Sequence, residues 1–255
     1  MKLEILCEAA ASVGVRTDDE FRWRFARYFE LIESANSRFN LTGAKGWERV
    51  RDELFIRSLR FFAPIAGGQQ PAVEWFSGRK VLDIGSGAGV PGLILKIAVP
   101  DMSLTLLDSS QKKTAFLRET VADLGFDDVE VITGRAEEIA LQPGQREKYD
   151  LVVSRGVAKL VELAELALPF AAVGGTVISA KGPSVDAEIA ESAYAVSLLG
   201  GAPAITSVVA SPGDASPDTM VYWMKIGKTP KAYPRRNGLP RTRPLVQASK
   251  AAVRR

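Results

Sequence analysis

The chain contains no histidine and only one cysteine, Cys7. Without an imidazole there is no Ser-His-Asp triad, no Cys-His nucleophile pair and no histidine-ligated zinc. One thiol excludes a cysteine zinc cluster and an internal disulfide, which fits a reducing compartment and a cytoplasmic protein. Long apolar runs are missing too. The opening MKLEILCEAA carries Glu4 and Glu8 where a signal peptide needs an unbroken apolar stretch, and LILKIAV is short and holds Lys96. Neither a leader nor a membrane span is expected. Nothing in the pattern of carboxylates points to a bound metal.

What is present is an ordinary soluble composition, 46% hydrophobic and 25% charged over 255 residues, enough for one α/β domain with a smaller addition. The net charge of +3 hides an asymmetry. Residues 219–255 hold ten Lys or Arg and no acid, so the first 218 residues carry 23 basic and 30 acidic side chains. A mildly acidic body with a basic end points to a polyanionic partner, although a charge run alone is more often a solvated tail.

Along the chain, residues up to about 60 have helical periodicity. Phe21, Phe25, Tyr28, Phe29 and Ile32 recur at spacings of three and four, and WERVRDELFIRSLRFF offers a second amphipathic helix. A connection through PIAGGQQP follows. From residue 79 strands alternate with helices: KVLDIG, SLTLLD, DVEVITG, YDLVVSR and GGTVISAKG, then two closing strands, APAITSVVA and TMVYWMKIG. Strands separated by helices imply right-handed crossovers and a doubly wound, mostly parallel sheet. The expected division is a helical appendage over 1–63, an α/β core over 64–227 and a Pro- and Arg-rich, extended basic segment over 228–255.

Within the core, VLDIGSGAGVPG places four glycines, Gly85, Gly87, Gly89 and Gly92, in a loop that follows the first strand. Such a loop lets a ligand approach the backbone closely, at the carboxyl end of a parallel strand. A P-loop is excluded, because no Gly-Lys-Ser/Thr follows. GAGVPG matches a dinucleotide fingerprint, but an acid, Asp83, lies inside the strand just before Gly85. Read as D-x-G-x-G-x-G over Asp83, Gly85, Gly87 and Gly89, the loop has the pattern of class I S-adenosylmethionine-dependent methyltransferases. Asp108 ends the second strand, where a carboxylate can accept both ribose hydroxyls, and Glu137 follows the third strand on the adenine side. Asp108 suits a dehydrogenase equally well, and either acid has an ordinary alternative as a solvated residue.

The set DIGSGAGVPG, LTLLDSSQKKTAFLRETVADLG, GRAEE, YDLVVSRGVA and ISAKG, with FNLT upstream and KTPKAYPRRNGLPRTRPL downstream, resembles the bacterial 16S ribosomal RNA guanine-N7 methyltransferase family, also called glucose-inhibited division protein B. The similarity covers roughly residues 36–245. It implies a class I methyltransferase fold (Rossmann-like, with a seven-stranded, mostly parallel sheet) and S-adenosylmethionine as cofactor. Contacts to the cofactor are implied at Asp83, Gly85, Gly87, Gly89, Val90, Asp108, Ala136, Glu137 and Arg155. Arg155 and Lys181, ending the fourth and fifth strands, become the catalytic-side candidates, against the plainer alternatives of a structural salt bridge and a surface lysine. The substrate implied is 16S rRNA or the small ribosomal subunit, with the protein acting as a monomer. Lys231, Arg235, Arg236, Arg241 and Arg243 then become RNA-binding candidates, as phosphate partners.

Two departures stand out. Where the family has a stretch resembling ERHFLDSL, this chain reads DELFIRSL, with Leu54 and Arg57 replacing the histidine and aspartate. The family's Ser-Arg-Ala is here Ser154-Arg155-Gly156. They leave open a different RNA or small-molecule acceptor, or a non-catalytic ribosome-binding relative. Guanine N7 has a free lone pair and no proton to lose, so its methylation needs no general base and suits a histidine-free protein. Cytosine-C5 methylation needs a nucleophilic Cys in the site. Adenine amino methylation usually has Asn/Asp-Pro-Pro-Tyr/Phe after the fourth strand, where this chain has Ser154-Arg155-Gly156-Val157.

Overall fold

Seven strands form one sheet in the order β3-β2-β1-β4-β5-β7-β6. They are β1 (Lys80–Ile84), β2 (Ser103–Asp108), β3 (Val129–Thr133), β4 (Tyr149–Arg155), β5 (Ala171–Lys181), β6 (Ile205–Val209) and β7 (Asp218–Met224). All neighbours pair in parallel except β7, which runs antiparallel to both β5 and β6. The computed structural model of the protein describes residues 2–63, 73–210 and 217–247. The PIAGGQQP connection lies outside them, as do residues 248–255 of the basic segment.

The central strands are apolar on both faces, as a sheet covered on both sides requires. Val81, Leu104, Leu106, Leu151, Val153 and Ile178 face one layer of helices. Leu82, Val152, Val177, Val221 and Trp223 face the other.

The first layer is built largely by the N-terminal residues. These form α1 (Glu4–Ser12), α2 (Asp19–Arg38) and a composite run, α3, which begins at Trp47–Arg49. This run is π-helical over Val50–Ile56 and closes through Arg57–Leu59 and Arg60–Phe62. Asp18 caps α2, its side chain accepting from Phe21 N at 3.0 Å. The stripe Phe21, Phe25, Tyr28 and Ile32 is buried, and Phe25 meets Phe55 edge-on with ring centroids 4.9 Å apart. Each such side chain contributes about 1.5–3 kcal/mol through burial. The helices share one continuous apolar core with the sheet, together with α5 (Gly92–Ala98) and α6 (Gln111–Asp123). A short helix α4 (Val73–Phe76) precedes β1.

The opposite layer consists of α7 (Ala136–Ile139), α8 (Leu160–Ala167) and α9 (Asp186–Leu198). A last short helix, α10 (Leu239–Thr242), lies in the C-terminal segment. That segment is not the extended tail expected from its Pro and Arg content. Arg146 donates to Thr229 O and Tyr233 O, each at 2.8 Å, and Tyr233 and Leu245 pack against the second core. Its own apolar residues and backbone groups find partners on the body, which its composition conceals. β5 also begins three residues earlier than GGTVISAKG suggests, at Ala171 paired with Tyr149. No helix among the described residues is long and apolar enough to cross a membrane.

Candidate functional site

The chain leaves β1 for β2 on one side of the sheet and later β4 on the other, so β1 and β4 flank the point where the strand order reverses. Ligands of open α/β sheets sit there, beyond the carboxyl ends of the strands. A pocket occupies that position. From the end of β1 and the loop after it the pocket takes Ile84 and Gly85, and from the end of β2 and the residue after it Leu107, Asp108 and Ser109. Gly134, Arg135, Ala136 and Glu137 follow β3, and Val157 and Leu166 complete the lining.

The glycine loop is bound down onto β2. The amides of Gly85 and Ser86 donate to Leu107 O at 2.7 and 3.1 Å. The Gly87 amide donates to Asp108 Oδ2 at 2.9 Å, and Ser110 N donates to Oδ1 at 2.8 Å. Asp108 is buried, and two backbone donors fix its orientation while each carboxylate oxygen keeps a further lone pair. Gly87 has φ +57°, a left-handed backbone that disfavours a side chain, and a Cβ there would meet no heavy atom closer than 3.8 Å. Gly89 is different. A Cβ would come within 2.5 Å of Tyr28 Oη and 2.6 Å of Leu93 Cδ1, so this glycine serves the packing of the loop on α2 and α5. The Tyr28 hydroxyl donates to Ala88 O from beneath.

Asp83, implied as a cofactor contact by the resemblance, lies elsewhere. Its side chain is fully buried under the loop, where Oδ2 accepts from Gly92 N at 2.9 Å. Among the described residues Oδ1 has no hydrogen-bond partner. Burial pushes its pKa up to about 7, against the opposing effect of the Gly92 amide. The carboxyl therefore scaffolds the loop and does not line the pocket.

Glu137 is buried in the pocket lining, and its Oε1 accepts from Gly238 N at 2.9 Å. Gly85, Asp108, Ala136 and Glu137 thus converge on one cavity. Gly87 reaches it through Asp108, whereas Gly89 and Val90 belong to the loop's packed side. Leu107, Ser109, Val157 and Leu166 complete the lining without a motif of their own. Only the apolar strand end and the apolar helix face hinted at them.

Arg155 and Lys181 lie outside this lining, at the carboxyl ends of β4 and β5. Arg155 turns into the N-terminal layer. It donates to Glu53 O and Leu54 O, both within the π-helical stretch, and to Ser58 Oγ. Burial, followed by the neighbouring Arg57 charge, pushes its pKa down to about 10, which leaves the guanidinium charged at neutral pH. Lys181 donates to Ala158 O at 3.1 Å and pairs with Glu188 at 2.8 Å. Arg57, the departure noted in α3, pairs with Asp218, as does Arg60. Burial opposes the negative charge of Asp218, but the two arginines prevail and hold its pKa below the usual range.

Of the five RNA-binding candidates in the C-terminal segment, Lys231, Arg236, Arg241 and Arg243 are exposed. Arg235 departs from its expected role as a nucleic-acid contact. Its Nη2 lies 2.7 Å from Glu165 Oε2, and its backbone amide and Nε bond the same carboxylate. Glu165 is 1% exposed, so leaving it unpaired would be costly, and Arg235 neutralises it inside the protein.

A parallel sheet closed by an antiparallel β7, with a glycine loop after β1 and a carboxylate ending β2, is the architecture of class I S-adenosylmethionine-dependent methyltransferases. A putative O-methyltransferase from Klebsiella pneumoniae has the same fold, with a TM-score of 0.54, 16% identity, and coverage of 87% of this chain and 95% of that one. So does the O-methyltransferase TomG from Streptomyces achromogenes, with a TM-score of 0.52, 17% identity, and coverage of 89% and 100%. The chain belongs to the rRNA small subunit methyltransferase G family, GidB, whose model matches residues 23–213. Ribosomal RNA small subunit methyltransferase G from Roseiflexus castenholzii is 38% identical over 96% of this chain and all of that protein. The protein of the same name from Dehalococcoides mccartyi is 40% identical over 92% of this chain and 97% of that one.

Proposed function

We propose that this protein transfers a methyl group from S-adenosylmethionine to N7 of a guanine in 16S rRNA of the small ribosomal subunit. One observation carries the reading: Gly85 after β1, Asp108 at the end of β2 and Glu137 on the short helix after β3 meet in one pocket at the switch point of the sheet, in a member of this family. The residues fit the cofactor. Asp108 is oriented by two amides with lone pairs left for ribose hydroxyls, and Ala136 and Glu137 line the adenine side. The bound sulfonium supplies a methyl carbon on a neutral leaving group.

Guanine N7 gains the bond to the methyl carbon as the sulfur–carbon bond breaks, which leaves S-adenosylhomocysteine and a positively charged 7-methylguanine. No proton moves, so the protein's task is to align the two reactants and exclude water, worth about 7–11 kcal/mol of barrier. Arg155 and Lys181 border the acceptor side, at the ends of β4 and β5. Exposed Lys231, Arg236, Arg241 and Arg243 contact phosphates and supply salt-sensitive affinity. We read the protein as acting as a monomer, and a ribosomal substrate fits work in the cytoplasm.

The test is transfer of labelled methyl to small ribosomal subunits that lack the modification. Label recovered as 7-methylguanosine in 16S rRNA is the expected outcome. Tight cofactor binding without label in that rRNA would move the assignment to another acceptor.

A further inference from the structure

We propose that the C-terminal segment over residues 228–247 is the outer wall of the cofactor pocket, with Gly238 and Arg235 as positioning residues for Glu137. The proposal rests on the reading that Glu137 contacts the cofactor.

Helix α7, which carries Glu137 into the pocket, has four residues. A helix of that length has no stability of its own, because nucleation costs more than so few bonds return. Its placement must come from neighbours, and two of its acids are held from the C-terminal segment. Gly238 N donates to Glu137 Oε1 at 2.9 Å, and Asn237 Nδ2 donates to Glu138 Oε1 at 3.3 Å. Glu137 is 7% exposed, so the Gly238 amide replaces water that its carboxylate has lost. With Oε1 engaged, the orientation of the second oxygen is fixed as well.

The segment is itself anchored beside the pocket. Arg235 clasps Glu165 through its backbone amide, Nε and Nη2, and the next residue of α8, Leu166, lines the cavity. Two residues beyond Arg235, Asn237 and Gly238 begin their bonds with α7. One short stretch therefore ties α8 to α7, two elements from which the pocket is built. The other partner of the basic segment, RNA phosphate, has only its exposed cations to meet. The structural part of the segment and its electrostatic part use different residues.

The test reads cofactor binding alone, so it is independent of the RNA substrate. Titration of the full-length protein with S-adenosylhomocysteine is expected to give a Kd at least tenfold weaker for Arg235→Ala. In turnover, KM for S-adenosylmethionine should rise while kcat holds, and Arg235→Lys should recover part of the loss. Wild-type affinity in Arg235→Ala overturns the proposal. If that variant does not fold, hydrogen exchange on the unaltered protein decides. S-Adenosylhomocysteine must slow exchange of the Gly238 amide together with the amides of α7, and an unchanged Gly238 overturns the wall. Glu137→Ala with undiminished affinity would instead show that the reading of the pocket itself is wrong, and the proposal falls with it.

Discussion

Arg57 and Asp218 stand 161 positions apart in the chain, yet Arg57 Nε donates to Asp218 Oδ2 at 3.0 Å. Arg60 Nη1 reaches the same oxygen at 2.6 Å, so two guanidiniums share one carboxylate between the N-terminal layer and the head of β7. An arginine that departs from the family pattern is thus balanced within the protein. Arg57→Asp should destabilise by about 2 kcal/mol, since it removes charge-assisted bonds and sets two carboxylates together. Asp218→Arg should cost more, because the new cation would face Arg57, Arg60 and Arg155. The double exchange, Arg57→Asp with Asp218→Arg, should recover stability relative to the sum of the single changes. Denaturant unfolding of all four proteins gives the coupling energy directly, and simple additivity would refute the pairing.

Two glycines of the loop should fail in different ways. Gly87→Val adds branches in open space beside Asp108, so it should abolish binding of S-adenosylhomocysteine at a cost in stability of about 1–2 kcal/mol from the left-handed backbone. Gly89→Ala meets Tyr28 Oη and Leu93, so it should lower the melting temperature the more of the two. Calorimetric titration and thermal unfolding of both variants check this. Undiminished affinity in Gly87→Val would refute the placement of the loop.

Asp83 gives a pH dependence with a defined sign. The unfolded carboxyl titrates near about 4, and the folded one at about 7. Between those values the folded state holds a proton that the unfolded chain has released. The stabilising contribution is complete below the lower value and is lost as pH rises through the upper one. Thermal stability should therefore decline from about pH 4 to about pH 7, and Asp83→Asn should flatten that decline. An equal slope in the variant would mean that Asp83 ionises normally beneath the loop.

The exposed arginines should report on RNA through salt. Replacing Arg236, Arg241 and Arg243 together by Ser should weaken binding to small-subunit RNA. It should also reduce the slope of log affinity against log salt by about 0.7 for each single-strand phosphate that is no longer neutralised. An unchanged slope would return these residues to the role of solvating charges.

Much of this was legible in the sequence because the signals are local. SLTLLD and YDLVVSR match β2 and β4 residue for residue, since buried parallel strands are short apolar runs with sharp polar ends. The carboxylate ending β2 and the acid after β3 could be placed by counting from those strands. Long-range pairing was not legible. Nothing near Ala88 says that the hydroxyl of Tyr28, 60 positions earlier, will bond its carbonyl, and nothing near Arg235 points to Glu165, 70 positions earlier. A basic, Pro-rich stretch has the composition of a tail whether or not a buried carboxylate awaits one of its arginines. The π-helical turn in α3 was equally hidden, because its apolar spacing fits an ordinary helix.

The insertion of β7 between β5 and β6 has a consequence for biosynthesis. A ribosome makes the strands in chain order, but the sheet is not laid down in that order. When β6 emerges it has no neighbour in the finished sheet, because its only partner is still inside the exit tunnel. The hydrogen-bonding edge of β5 that β7 will pair with stays open until then as well. The segment that bonds Glu137 and Glu165 follows β7 and arrives later still. An unfinished chain therefore holds the glycine loop and Asp108 but not the backbone donor to Glu137, and the nascent protein should mature abruptly once that segment has emerged.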